Sequence, residues 1–296
     1  MTNTRKLKGT GVAITTPFHK DGNVNFKCFG KLIEHLIKGK VDYLVPLGTT
    51  GESVTLTKDE RVAILDFVVE TVAKRVPVVV GIGGNNTREV VNSLSDFDLT
   101  GVDAILSVTP YYSKPSQRGL IQHYKAFCNE APVPVILYNV PGRTGVNMSA
   151  ETTLTLASDV QNIIGIKEAS GNFEQIMTII RDKPEGFLVI SGDDLITLPL
   201  IAAGADGVIS VVANGYPKEF SEMVRLAQKG SMEKARELHY NLTEITNLLF
   251  AEGSPGGIKS LLQYLGICDD YMRLPLAGIS KALQNKIAAA ADKIKG

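Results

Sequence analysis

Short apolar runs alternate with longer amphipathic segments along most of this chain, the pattern of a parallel sheet built from βα units. The runs read as strands are Gly11 to Thr15, Tyr43 to Leu47, Val78 to Ile82, Asp103 to Val108, Val135 to Asn139, Ile163 to Lys167, Phe187 to Ser191 and Gly207 to Val212. Their starts recur every ~20–35 residues, one strand plus one helix, and these units fill residues 1–230. That spacing predicts an α/β fold, the (β/α)8 TIM barrel. Gly39, Gly101 and Gly204 each precede an apolar strand and suit a left-handed helix end. Thr57 with Glu60 forms a capping box for a helix running toward Arg75, and Pro217 suits a first helical turn. Pro46 lacks the N–H that a ladder needs, so the second strand should bulge or end early there. After Gly230 the strand pattern stops. Met232 to Ala251, Ile258 to Leu265 and Ile279 to Ile294 read as amphipathic helices, with a turn over 253–257, so residues 231–296 form a helical C-terminal extension.

Composition narrows the function classes. At 44% hydrophobic, the chain has ample material for a core, and Lys+Arg 31 balances Asp+Glu 31, leaving no net field to hold a nucleic acid. The apolar runs are too short for a membrane span, and Met1 to Lys8 leads into no secretory segment, which predicts a cytoplasmic chain without membrane association. Cys28, Cys128 and Cys268 are far apart and lack CxxC spacing, so they read as free, small apolar side chains rather than disulfide partners. His19, His35, His123 and His239 are scattered without an HxH or HExxH pair, and no metal site is expected.

Functional residues of a parallel barrel come from the C-terminal strand ends and the loops after them. The sixth strand ends in Lys167, which by alternation shares a face with Gly165 and Ile163. If that face points inward the amine is desolvated, and a neutral amine is the nucleophile that condenses with a ketone. Alternatively, the lysine snorkels outward or pairs with Glu168. The fifth strand delivers Tyr138, a candidate proton shuttle, and the following loop carries Arg143, a candidate carboxylate clamp. Gly48-Thr49-Thr50-Gly51-Glu52 after the second strand suits a small anion, and Tyr111-Tyr112 after the fourth suits either a site or an interface. Gly81-Ile82-Gly83-Gly84 does not complete a GxGxxG nucleotide loop.

Gly48-Thr49-Thr50-Gly51-Glu52, Tyr111-Tyr112, Tyr138-Asn139-Val140-Pro141-x-Arg143-Thr144-Gly145 and Ile166-Lys167-Glu168-Ala169 together resemble the dihydrodipicolinate synthase family, in order and over nearly the whole chain. The resemblance implies a class I, aldolase-type lyase that condenses pyruvate with L-aspartate 4-semialdehyde in diaminopimelate and lysine biosynthesis. Lys167 would form the Schiff base without any cofactor. Tyr138, Thr49 and Tyr112 would relay protons, with Tyr112 lent by a neighbouring subunit. Thr50 would hold the pyruvate carboxylate, Arg143 that of the semialdehyde, and Gly192 and Ile209 would line the pocket. Family habit implies a homotetramer, a dimer of dimers. Ser53, Val54, Lys58, Arg61, Asn85, Glu89 and Tyr111 match a lysine-effector site. Lys58 and Arg61 stand where sensitive members commonly carry histidines; either they point to solvent on the helix capped at Thr57, or two cations there would repel the effector's ammonium, and weak or absent inhibition is expected.

The nearest rivals are N-acetylneuraminate lyase and keto-deoxy-sugar aldolases, which usually carry serine at the Thr49 position and lack the arginine. A non-catalytic keto-acid sensor would need neither Lys167 nor Tyr138. A zinc-dependent class II aldolase would need a histidine cluster.

Overall fold

The structure, a computed structural model, describes residues 4–294, so the first three residues of the Met1 to Lys8 stretch lie outside the described residues. The strands are β1 (Gly9–Ala13), β2 (Tyr43–Val45), β3 (Val79–Gly81), β4 (Ala104–Val108), β5 (Val135–Asn139), β6 (Ile163–Glu168), β7 (Leu188–Ser191) and β8 (Gly207–Ser210). They pair in parallel in the order β2-β1-β8-β7-β6-β5-β4-β3, and a parallel bridge between Leu44 and Val78 joins the two end strands. Helices follow the strands, and the result is a (β/α)8 TIM barrel.

The apolar residues divide into two layers. Leu7, Tyr43, Val45, Leu106, Ile136, Tyr138, Ile190 and Ile209 belong to a buried cluster inside the barrel. The larger cluster, including Val80, Ile105, Leu137 and Ile166, lies between strands and helices. Both faces of every strand are therefore apolar, which explains the short continuous runs in the sequence.

β2 stops at Val45, one residue before Pro46, as the missing N–H requires. Pro46 still accepts: its carbonyl takes the Gly81 N–H at 3.0 Å and carries the β2–β3 seam one step further. β8 ends at Ser210 rather than Val212 because the chain coils into a 3-10 turn over Val212–Asn214. The capping box at Thr57 is formed and opens α2 (Lys58–Val72). Gly101 and Gly204 take left-handed backbone, φ 84° and 107°, as expected. Gly39 does not: its φ is −73°, Lys40 adopts the left-handed turn instead, and a Cβ at 39 would lie 2.4 Å from the Pro217 ring. Close packing, not conformation, requires that glycine.

β6 contains a further departure. Its register against β5 slips between Val135 and Ile136, so Val135 pairs with Ile163 but Ile136 pairs with Gly165. Ile163 consequently packs in the outer cluster and Ile164 in the inner one, so Ile163 does not share a face with Lys167.

Beyond α9 (Pro217–Gln228) come α10 (Met232–Phe250), α11 (Gly256–Tyr264) and α12 (Lys281–Ile294), close to the expected helices. The cysteines correct the sequence reading. Cys28, in α1 (Phe26–Lys38), and Cys268, just after α11, form a disulfide with a Cα–Cα separation of 5.7 Å. Their 240-residue spacing hid the pairing, because only folding lays the C-terminal helices beside α1. Cys128 alone is free among the described residues, and burial pushes its thiol up to about 12. No helix among the described residues is long and apolar enough to cross a membrane.

Candidate active site

The end of β6 sets the site. Lys167 is buried, and its Nζ lies over the Tyr138 ring, 4.4 Å from the centroid. The two residues are register partners on adjacent strands, and Ile190 of β7 is the partner of Lys167 on the other side. Gly192 follows β7, and a Cβ there would meet Lys167 Cε at 3.0 Å, Ala169 Cβ at 2.7 Å and the Glu168 carbonyl at 3.1 Å. Only a glycine leaves room for the lysine arm. Ile209 closes the same interior from β8.

Glu168 does not pair with Lys167. Alternation sends it to the outer face, fully buried, where it accepts hydrogen bonds from Asn139 Nδ2 at 2.5 Å, Ser170 Oγ at 2.8 Å and Gln175 Nε2 at 3.3 Å. Burial raises its carboxyl to about 7 against those bonds. A second buried carboxyl, Asp194, is raised to about 6 by burial while accepting the N–H groups of Val211 and Val212. It ties the loop after β7 to the turn after β8.

The other expected residues ring the mouth. Thr50 is buried, whereas Thr49 is exposed, in the loop after β2. Leu47 and Glu52, both non-glycine, bracket that loop in left-handed backbone with φ of 59° and 54°, a strained arrangement that the surroundings must enforce. The enforcement comes from the extension. Glu52 forms a buried ion pair with Lys259 of α11, and it accepts the Arg273 N–H at 3.3 Å. Lys259 also donates to the Tyr271 carbonyl at 2.8 Å and lies over the Phe18 ring, while Arg273 grips Gly22, Thr55 and Glu60. Gly51 is needed for close approach, since a Cβ would lie 3.2 Å from the Ile14 carbonyl; Gly48 faces open space.

Arg143 is exposed, on a one-turn helix, α5 (Pro141–Thr144), where a plain loop was expected. Tyr112 is 89% exposed and left-handed, and its N–H donates to the Thr144 carbonyl at 3.4 Å, so the tyrosine and arginine loops touch through backbone. Of the effector positions, Val54 is exposed on the 3-10 turn Ser53–Thr55, Asn85 and Glu89 are exposed, and Tyr111 is half-buried. Lys58 engages Asp96 at 2.6 Å, which offsets its charge. Arg61 is half-buried on α2. Gly81 and Gly83 serve packing: Cβ atoms there would strike the Leu47 carbonyl at 2.3 Å and Val108 at 3.0 Å. No group of three or more His, Cys, Asp or Glu that could hold a metal occurs among the described residues.

Sequence reasoning missed the Glu168 cluster and the Glu52–Lys259–Arg273 network. A signal existed for the first. Two adjacent charges ending an otherwise apolar strand cannot both point into a barrel, so Glu168 had to be buried behind it.

A dihydrodipicolinate synthetase family model matches residues 6–294. The chain belongs to this family. It is 53% identical over 270 residues to the 4-hydroxy-tetrahydrodipicolinate synthase of Parabacteroides distasonis, covering 91% of each chain. It is 50% identical to that of Flavobacterium psychrophilum, covering 94% of this chain and 95% of the relative. Among solved structures, the dihydrodipicolinate synthase of Aquifex aeolicus superposes with a TM-score of 0.93 at 41% identity, covering 97% of both chains. A monomeric dihydrodipicolinate synthase variant superposes at 0.96 with 36% identity, covering 99% of this chain and 98% of that one.

For this family member, Gly192→Ala should crowd the Lys167 arm at a cost of roughly 1–3 kcal/mol, about fivefold to 150-fold in kcat/KM. Steady-state kinetics beside a thermal melt checks this. A variant with native kinetics would show that activity does not depend on the room Gly192 leaves the arm.

Proposed function

We propose that Lys167 of this 4-hydroxy-tetrahydrodipicolinate synthase family member forms a Schiff base with pyruvate, and that the protein condenses it with L-aspartate 4-semialdehyde. The observation that carries the reading is a buried lysine inside the barrel with a tyrosine ring against its amine and no carboxylate paired to it among the described residues. The amine attacks the ketone carbon, and loss of one water leaves an iminium. That iminium draws electrons from the neighbouring methyl, so a positioned base suffices to remove its proton. The enamine attacks the aldehyde carbon. The semialdehyde's own amine then displaces Lys167, closing the ring and restoring the free enzyme. Tyr138, whose ring lies against the lysine nitrogen, would hold or move protons there, with Thr49 and Tyr112 continuing the relay. Thr50 and the backbone of its loop hold the pyruvate carboxylate, and Ile209 and Gly192 shape the pocket. No cofactor or metal is required, because the iminium itself is the electron sink.

The relay needs Tyr112 from elsewhere. Val54 at 80%, Leu274 at 83% and Tyr112 at 89% exposure are large side chains left uncovered in the single chain, and a second copy covering Tyr112 would be in line with a homotetramer built from dimers. The lysine-effector positions Ser53, Val54, Lys58, Arg61, Asn85, Glu89 and Tyr111 remain a proposed site. Weak inhibition there now rests mainly on Arg61, since Asp96 offsets Lys58.

Borohydride reduction in the presence of pyruvate should attach the keto acid to Lys167 and to no other lysine, read by peptide mapping. An adduct on Lys114, or none, would refute the assignment. Arg143→Ala should raise the KM for the semialdehyde by roughly tenfold to a hundredfold, the loss of one charge-assisted clamp worth roughly 1.5–3 kcal/mol, with much less effect on pyruvate. Equal losses for both substrates would contradict that division. Sedimentation equilibrium should give about 128 kDa, four chains of 31.9 kDa, and a 31.9 kDa species would remove the subunit-sharing role of Tyr112.

A further inference from the structure

Glu168 is a buried carboxyl without a cation. The groups facing it are neutral: Asn139 from β5, Gln175 from α7 (Phe173–Asp182), Ser170 from the following turn, and Ser191, its register partner on β7. The charge next to it in sequence, Lys167, points to the other side of the sheet. Burying an uncompensated carboxyl is costly, so stability is a poor reason to keep one here.

Its partners show what it holds. Asn139 Nδ2 donates to Glu168, and the same amide's Oδ1 accepts the Met148 N–H at 2.9 Å. Asn139 Nδ2 also reaches Asn147 Oδ1 at 2.8 Å. Gln175 Nε2 donates to Glu168 and to the Met148 carbonyl at 3.1 Å, and Asn147 Nδ2 donates to Gln175 Oε1 at 2.8 Å. Asn139 thus closes the excursion that runs from Val140 through α5 to Met148, and Arg143 stands at its middle. A carboxylate only accepts, so it fixes which end of the Asn139 amide faces it and which end faces Met148. A protonated carboxyl or an amide in its place would present a donor to that cluster of donors and loosen the closure.

We propose that Glu168 is a positioning residue that, in its ionised form, locks the Arg143 excursion against the strand carrying Lys167 and so sets where the second substrate's carboxylate is held relative to the Schiff base. Because burial raises the carboxyl to about 7, the lock engages as pH rises through neutrality. The sign for folding is opposite. A carboxyl raised above its ordinary 4.5 contributes stability that is present at low pH and lost as pH rises through about 7.

The inference rests on the Lys167 and Arg143 reading, and one set of measurements separates the two. Glu168→Gln keeps the shape and removes the charge. It should raise the KM for the semialdehyde about tenfold, abolish the limb near pH 7 in kcat/KM for that substrate, and leave borohydride trapping of pyruvate within about twofold of the native protein. Glu168→Asp should restore part of the limb. A limb that persists unchanged in Glu168→Gln, or equal losses for both substrates with a lowered melting temperature, would overturn the positioning role. Failure of trapping in the native protein would instead defeat the Schiff-base reading, on which this one depends.

Discussion

The placing of Lys167 against Tyr138 hangs on one residue of slip between β5 and β6. In a parallel sheet, register partners point the same way, and shifting a strand by a single residue exchanges its faces. The irregularity at Val135 and Ile136 pairs Tyr138 with Lys167. Continued from Val135 opposite Ile163 without the slip, the pairing would set Tyr138 opposite Ile166, turn Lys167 toward the helices and bring Glu168 inward. The bulge is accommodated because Ile163 and Ile164 are both apolar and so suit either layer. Gly165 then passes close to Leu188, where a Cβ would lie 2.8 Å from both its Cβ and its carbonyl oxygen.

The second constraint reaches the mouth from the far end of the chain. The loop after β2 carries two non-glycine residues in left-handed backbone, each of which costs free energy that local sequence does not return. The buried Glu52–Lys259 pair supplies the counterweight, with Arg273 tying the neighbouring turns. A buried ion pair is a poor stabiliser, because desolvation offsets most of its attraction, but it is demanding in geometry. It therefore specifies the loop's shape more than it strengthens the fold. The disulfide between α1 and the segment after α11 holds the same extension in place from a separate point.

Much of this was legible in the chain, and the failures have physical reasons. Strands buried on both faces read as continuous apolar runs, so all of them were found, and Pro46 marked the end of β2 because an N–H was missing. The ends of β1 and β8 were misplaced, since apolarity continues into turns that pack without pairing. Gly39 was assigned a conformational role because its contact with Pro217 is 178 residues away in sequence. Cys28 and Cys268 were judged by spacing, which says nothing about partners brought together by barrel closure. The bulge in β6 escaped because alternation counts residues and cannot see a slip. The sequence left Lys167 open between an inward and an outward side chain, and the slip is what settles its face opposite Tyr138.

Alternation also solves a problem that adjacency creates. A carboxylate within reach of an amine proposed as a nucleophile would favour its charged form, which is no nucleophile. Yet Lys167 is followed directly by Glu168, and the salt bridges among the described residues include neither. The sheet separates them: the amine faces the Tyr138 ring inside, and the carboxyl faces amides outside. One strand end thus delivers an amine to one side and an acceptor to the other, two ionisable groups at consecutive positions held apart by the thickness of a backbone. That separation exists only within an unbroken extended strand, and the ladder continues to the rim to maintain it. Ala169 donates to the Asn139 carbonyl at 2.9 Å and Gly192 to the Glu168 carbonyl at 2.7 Å, so the backbone at Lys167 is bound on both flanks. If those bonds frayed, the two side chains would be free to pair, and the amine would lose its isolation from the carboxyl.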